Sequence, residues 1–263
     1  MSPRQAATRH DATAQRFLKA ATQLMDAYLD DQPSQARPAR LRSIHFPAAL
    51  DWLRTEDVVR TAAAAEGGAG ASRKAFFNRW PTRDEFLPDA VVYALVYDKV
   101  PEDPNEQAKQ VPGTAAAPVP FSQEVIRIAD GLLGSLQRHP RSYLTLHIGP
   151  LLAQHPSLWE ALKPGMHAGI RAWADGYAAL LPELGLVMRP GWTPYRLSLA
   201  LQATLDGFLL RYRIMPEEYS TSRWEGVGIF ADTVIAVILG VVDTDRSGLS
   251  GREALDKLLE PGA

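Results

Sequence analysis

The sequence predicts an all-α fold, with a small N-terminal unit followed by a larger C-terminal helical bundle. Apolar residues recur at three- and four-residue spacing along almost every segment, and no run alternates with the two-residue period of a strand. Helical runs are punctuated by cap residues and prolines. With 46% hydrophobic and 22% charged residues over 263 positions, the chain has a globular composition and the length for one large domain or two moderate ones.

Taken in order, FLKAATQLMDAYL at 17–29 places Phe17, Ala20, Ala21, Leu24, Ala27 and Tyr28 at helical spacing. The segment that follows, about 31–45, carries two prolines with Arg37, Arg40 and Arg42, and reads as an inserted basic loop. FPAALDWL at 46–53 opens a short helix. Thr55, followed by Glu56 and Asp57, supplies an N-cap and an acidic first turn for another helix running to about Glu66. A Pro-rich stretch, 99–120, has no apolar periodicity and divides an N-terminal domain at 1–98 from a C-terminal one at 121–263. Beyond it, Ser157 with Glu160 and Ser222 with Glu225 have capping-box spacing, Thr193-Pro194 is a cap followed by proline at the first helical position, and Pro164-Gly165 predicts a break or kink within 157–182. The most apolar run, VGIFADTVIAVILGVV at 227–242, is interrupted by Asp232 and falls short of the ~20 residues that span a bilayer, so it predicts a buried helix.

Several function classes are excluded or disfavoured. With 28 basic against 30 acidic residues, no strong net field draws the chain to nucleic acid or anionic lipid. The lack of cysteine removes disulfides, thiolate metal sites and cysteine nucleophiles. The N-terminal residues contain no apolar run of signal-peptide length, which predicts a cytoplasmic protein. No HExxH, GxSxG, phosphate-binding loop or dinucleotide glycine pattern is present, so neither an enzyme nor a bound metal or cofactor is expected. DTDRSGLSGREA at 243–254 imitates a calcium loop through Asp243, Asp245, Ser247 and Gly248. Its twelfth position is Ala254 rather than a bidentate Glu, and Ser250 with Glu253 reads instead as the capping box of a last helix.

The stretch GGAGASRKAFFNRWPTRDEFL at 67–87 concentrates the chemistry. At ~100° per residue, Phe76 and Trp80 share one helix face, with Lys74 and Asn78 on the opposite one. Ser72 is the predicted N-cap, Pro81 the stop, and Thr82 with Glu85 the capping box of the next helix. A short helix of this kind after a glycine turn suits a helix-turn-helix that enters the ~12 Å major groove, where Asn pairs with adenine and Lys with guanine or phosphate. The same pattern also fits a solvated helical hairpin.

The run Gly70 to Leu87 resembles the recognition-helix signature of TetR-type transcriptional regulators, in which a Gly-Val-Ser turn precedes a helix ending in Tyr-x-x-Phe. Val59 to Gly67 is similar to the family's first helix-turn-helix helix, and 17–29 to its leading helix. The resemblance implies a three-helix DNA-binding domain followed by a bundle for dimerisation and ligand binding. It implies that Thr55, Arg60, Ser72, Arg73, Lys74, Phe77 and Asn78 face double-stranded DNA and that Arg83 holds a phosphate. Phe77 stands where the family has Tyr, and Gly68-Ala69-Gly70 lengthens the turn. These departures keep open a second function, a helical protein-interaction module of the same architecture that does not read DNA.

In the C-terminal region, YRLSLALQATLDGFLLRY sets Leu197, Ala200, Leu201, Thr204 and Phe208 on one face. The resemblance implies that 193–213 and 222–242 form a four-helix homodimer interface; apolarity alone fits an intrachain core pair equally well. Tyr143, His147, Trp159, Met166, Trp173 and Tyr177 form an aromatic, charge-poor set that suits either a cavity for a small-molecule effector or an ordinary core. The function expected from the sequence is thus a ligand-responsive dimeric repressor acting on a palindromic operator.

Overall fold

A computed structural model describes residues 50, 53–64, 70–97, 108–109, 111, 113, 119–139, 142–152, 155–221 and 223–258. The predicted helix at 17–29, the basic segment at 31–45 and Gly68-Ala69 of the glycine turn lie outside the described residues, as does most of 99–120. Among the described residues the regular structure is helical apart from a hairpin of two-residue strands and one isolated bridge, so the all-α class holds. Two compact units divide it: Met1–Tyr93 with His147–Ala161, and Ala94–Leu146 with Leu162–Ala263.

The first unit contains α1 (Thr55–Ala64), α2 (Arg73–Arg79) and α3 (Arg83–Val92), the last running on through a π-helical turn at Tyr93–Tyr97. The carbonyl of Arg54 accepts from Val58 N at 3.1 Å. Arg54 is therefore the capping position of α1, and Thr55, predicted as the cap, is its first helical residue. Ser72 and Thr82 cap as predicted: both are extended, and their hydroxyls accept from Ala75 N at 3.2 Å and Glu85 N at 3.3 Å. Pro81 disfavours helical geometry at the residue before it, and Trp80 leaves α2 at φ −125, ψ 97. Phe76 is buried, and its ring centroid lies 5.3 Å from that of Trp80 and 4.9 Å from that of Phe86. Trp80 Nε1 donates to Asp89 Oδ2 at 2.8 Å, tying the end of α2 to α3. Ser72→Ala is expected to destabilise this unit by about 1 kcal/mol in denaturant unfolding, with Ser72→Asp retaining most of the stability because a carboxylate caps equally well.

The second unit is built on α4 (Phe121–Arg138), α7 (Pro194–Ile214) and α9 (Ile229–Val241), which pack on one another. Between α4 and α7 the chain forms α5 (Ser142–Leu152) and α6 (Pro156–Glu183), each contributing residues to both units; α8 (Pro216–Thr221) follows α7. Ala129, Leu132 and Leu133 of α4 meet Leu197, Leu201, Leu205 and Leu209 of α7 and Phe230, Ala231 and Val234 of α9 in a single apolar cluster. The α7 stripe is centred on 197–201–205–209, one position round the helix from the predicted face. Ala200, Thr204 and Phe208 flank it half-buried.

Four local expectations change. Ser157 lies inside α6, because Trp159 N donates to His155 O at 3.0 Å and Pro156 takes the first helical position. Of the break or kink predicted at Pro164-Gly165, the break does not occur: a proline removes one main-chain donor, and the neighbouring turns carry α6 past it. Glu225 does not serve a helix start. With Gly226 it forms a two-residue turn, φ 51 and 85, joining β1 (Arg223–Trp224) to antiparallel β2 (Val227–Gly228), the positive-φ pair that tight hairpins require. Finally, Ala108 and Val111 of the Pro-rich stretch are buried, and the carbonyl of Ala108 comes so near Gly176 of α6 that a Cβ there would stand 3.0 Å from it. That stretch therefore supplies part of the second unit's core.

After α9, Met188 and Val242 form an antiparallel bridge, with Arg189 N on Val241 O and Asp243 N on Val187 O, both at 2.8 Å. The turn that follows leads into α10 (Gly251–Leu258). Its predicted capping box is present: Glu253 N donates to Ser250 Oγ at 3.3 Å and Ser250 N to Glu253 Oε2 at 2.8 Å. The Ser250 hydroxyl also donates to Glu253 Oε2 at 2.7 Å, and the two Ser250 donors, the hydroxyl foremost, hold the Glu253 carboxyl below the usual carboxylate range.

Candidate functional site

Two places concentrate the chemistry: the outer face of α2 in the first unit and a cavity inside the second. On α2, the buried Phe76 and half-buried Trp80 fix the rotation of the helix, so that Arg73, Lys74, Phe77, Asn78 and Arg79 are exposed. Lys74 and Asn78 form no side-chain hydrogen bond or ion pair among the described residues. The Arg73 guanidinium lies 5.6 Å from the Phe77 ring centroid, a cation–π geometry that holds both side chains on the same surface. α1 packs on α2, and a cleft of about 220 Å³ between them is lined by Thr55, Glu56, Val59, Arg60, Ala63 and Arg73.

Three residues of the predicted DNA-facing set have other work. Ser72 is exposed, but its hydroxyl accepts the Ala75 N–H. Arg60 Nη2 pairs with Asp57 Oδ1 one helical turn back. Arg83, expected to hold phosphate, is half-buried and directs Nε to Leu53 O at 3.1 Å and Nη2 to Leu50 O at 2.7 Å. The guanidinium thus satisfies carbonyls at the end of a preceding segment and anchors the start of α3, a positioning role. Thr55 is half-buried in the α1–α2 cleft.

The cavity has a volume of about 550 Å³ and is lined chiefly by aliphatic and aromatic side chains from α4, α6, α7 and α9. Met166, Trp173 and Tyr177 of the predicted set line it. Tyr143, His147 and Trp159 do not. Tyr143 packs against the core with the Arg213 guanidinium 4.1 Å from its ring centroid, His147 is exposed, and Trp159, like His147, belongs to the first unit. Burial pushes the Tyr177 phenol up, keeping it protonated, and the Trp173 and Tyr177 rings lie 5.9 Å apart.

Sequence reasoning passed over the polar members of this wall. Ser142 and Thr145 come from α5, and Ser198, Gln202 and Asp206 from α7. Ser198 Oγ is already used on Ile170 O at 2.8 Å, whereas Gln202 Nε2 donates to Asp206 Oδ1 at 3.0 Å. Burial raises the Asp206 carboxyl above its ordinary range, and the hydrogen bond from Gln202 opposes that shift. The available signal was an amide and a carboxylate at i and i+4 along the edge of an otherwise apolar stripe.

Among the described residues no cluster of three or more His, Asp or Glu is arranged to hold a metal, and no helix is long and apolar enough to cross a membrane. Compared with protein-family models, with curated proteins and with solved structures, the chain matches none.

Proposed function

We propose that the chain is a dimeric, ligand-responsive transcriptional regulator of the TetR type, a repressor, in which α1 and α2 form a helix-turn-helix and α2 reads a palindromic double-stranded operator. One observation carries this reading. α2 is locked by caps at Ser72 and Trp80 and by the Phe76–Trp80–Phe86 cluster, while Lys74 and Asn78 on its outer face have no partner among the described residues. A short rigid helix with an amide and an ammonium directed outward has the donors for base edges and phosphates. The cavity provides the effector site. An effector that prefers the low-affinity state for DNA weakens operator binding by its differential affinity for the two states.

Dimerisation rests on a second surface. α7 and α9 bury one face in the core yet leave Tyr195, Leu199, Leu210 and Ile214 on α7, and Ile229 and Leu239 on α9, exposed, with Ile214 at 59% and Leu239 at 58%. Residues 195 and 199, and 210 and 214, are helical neighbours, so α7 carries an apolar patch towards each end that a second copy would cover. Sedimentation at micromolar concentration is expected to give a dimer, and a stable monomer would count against this part.

DNA reading is tested by fluorescence anisotropy with fragments of the chain's own upstream region across a salt series. Asn78→Ala is expected to cost about 1–3 kcal/mol of selective binding. Lys74→Ala weakens all sequences and lowers the salt slope by about 1. If both variants bind like the parent protein, α2 is not the reading helix. The engagement of Arg83 and Arg60 within the protein favours a second reading, a helical protein-interaction module without specific DNA recognition. Absence of any salt-sensitive, sequence-selective binding, together with a protein partner retained by the α2 face, would establish it.

A further inference from the structure

Among the described residues, the cavity wall carries a single formal charge. Of the described residues that line it, Asp206 alone belongs to the Asp, Glu, Lys, Arg and His set. Asp206 forms no ion pair among the described residues; its one polar partner is the neutral Gln202 amide on Oδ1. Asp206 is half-buried at the edge of this wall, and a carboxylate with part of its hydration replaced by apolar surface favours a cation or further donors beside it. Among the described residues no lining side chain is positive, so an anionic ligand would meet the Asp206 charge with no cation to offset it. A volume of about 550 Å³ is in the range that encloses a small organic molecule, and the faces of Trp173 and Tyr177 add π surface on which a cation is attracted.

We infer that the cavity takes apolar small molecules bearing one positive charge, with Asp206 as the counter-ion and Gln202 orienting its carboxylate. The inference rests on reading the cavity as the effector site and adds the ligand's chemical class. Gln202 leaves Oδ2 available for the cation. Selectivity for charge therefore lies in one side chain, and affinity for bulk lies in the apolar wall, so the two are separable by mutation.

Isothermal titration of the full-length protein with three probes tests this: a naphthylhexyl-trimethylammonium, the neutral isostere with a tert-butyl group in place of the trimethylammonium, and a naphthylhexyl carboxylate. The cation is expected to bind at one site per chain about tenfold or more tightly than the neutral isostere, and the carboxylate not at all. Asp206→Asn keeps an acceptor for Gln202, so it is expected to fold; it should abolish the preference for the cation and leave the affinity for the neutral probe unchanged. Equal binding of cation and neutral probe by the parent protein overturns the inference and leaves the cavity as an apolar effector site. Retention of the full preference by Asp206→Asn overturns it equally. Failure of all three probes to bind overturns the effector-cavity reading as well. The parent protein's ranking of the probes decides the question even if the variant does not fold.

Discussion

Phe76→Ala is expected to destabilise the first unit by about 3–5 kcal/mol, the usual cost of emptying a buried aromatic site. Phe76 is 7% exposed and meets the rings of Phe77, Trp80 and Phe86, so its removal takes away the common member of these aromatic contacts. What remains, the Trp80–Phe86 contact at 5.1 Å and the Trp80–Asp89 hydrogen bond, holds α2 only at its C-terminal end. Hydrogen exchange is the suited measurement: amides of 73–92 should accelerate, while those of α4, α7 and α9 stay protected. Phe76→Leu, which keeps most of the volume, should cost roughly 1 kcal/mol. Because α2 carries the proposed reading surface, Phe76→Ala should also weaken DNA binding without altering any residue of that proposed surface. Lys74→Ala should do the reverse, lowering DNA affinity with stability unchanged. If amide protection of 73–92 is the same in Phe76→Ala, the aromatic cluster is not what fixes the helix.

The separation of scaffold from surface on α2 was legible in the sequence because its determinants are local. Caps act over three residues and a helix face repeats within four, so Ser72, Thr82, Phe76 and Trp80 declare themselves in a short window. Arg83 was read as a phosphate ligand because its partners are not local: the carbonyls of Leu53 and Leu50 lie 30 and 33 residues earlier in the chain. No periodicity reports which distant carbonyls need a donor. Pro156 and the Glu225-Gly226 turn show a milder version of the limit. In each case two local signals competed, and the one that fixes backbone geometry outright, proline at the first helical position or a positive-φ glycine turn, prevailed over a capping box.

The cavity was less legible than α2 for a related reason. Met166, Trp173 and Tyr177 were found by composition, since large aromatic and polarizable side chains collect wherever helices enclose space. Tyr143 belongs to the same composition class but packs in the core beneath Arg213, and only the packing of α7 separates the two outcomes. Asp206 was missed because a charged residue in an apolar helix is ordinarily read as facing solvent. Its significance depends on four helices assembling around a void that no single segment encodes. The proposed class of ligand thus rests on tertiary packing, whereas the proposed reading surface rests on one helix.

Asp243→Ala is expected to cost about 3 kcal/mol, the consequence of removing a buried carboxylate from groups that depend on it. Asp243 is 8% exposed. Its Oδ2 accepts Gly248 N at 2.9 Å, its Oδ1 accepts Ser247 N and Ser247 Oγ at 3.2 Å, and Arg189 Nη1 stands 3.4 Å from Oδ1. The turn also demands positive φ at Arg246 (52) and Gly248 (71), and the Asp243 hydrogen bonds are what hold it there. Truncation leaves two main-chain N–H groups and a half-buried guanidinium without this acceptor, and the loss passes to the bridge between Met188 and Val242 that joins the end of α9 to the segment before α7. Asp243→Asn keeps one carbonyl oxygen and should cost about half as much. The same arrangement disfavours a cation at this calcium-loop pattern: Arg189 lies against Asp243 and, at 3.6 Å, against Asp245, supplying positive charge where a cation would sit. Millimolar calcium should therefore leave the melting temperature unchanged. A rise with calcium, or an Asp243→Ala variant as stable as the parent, would show that the turn is held by something other than this carboxylate.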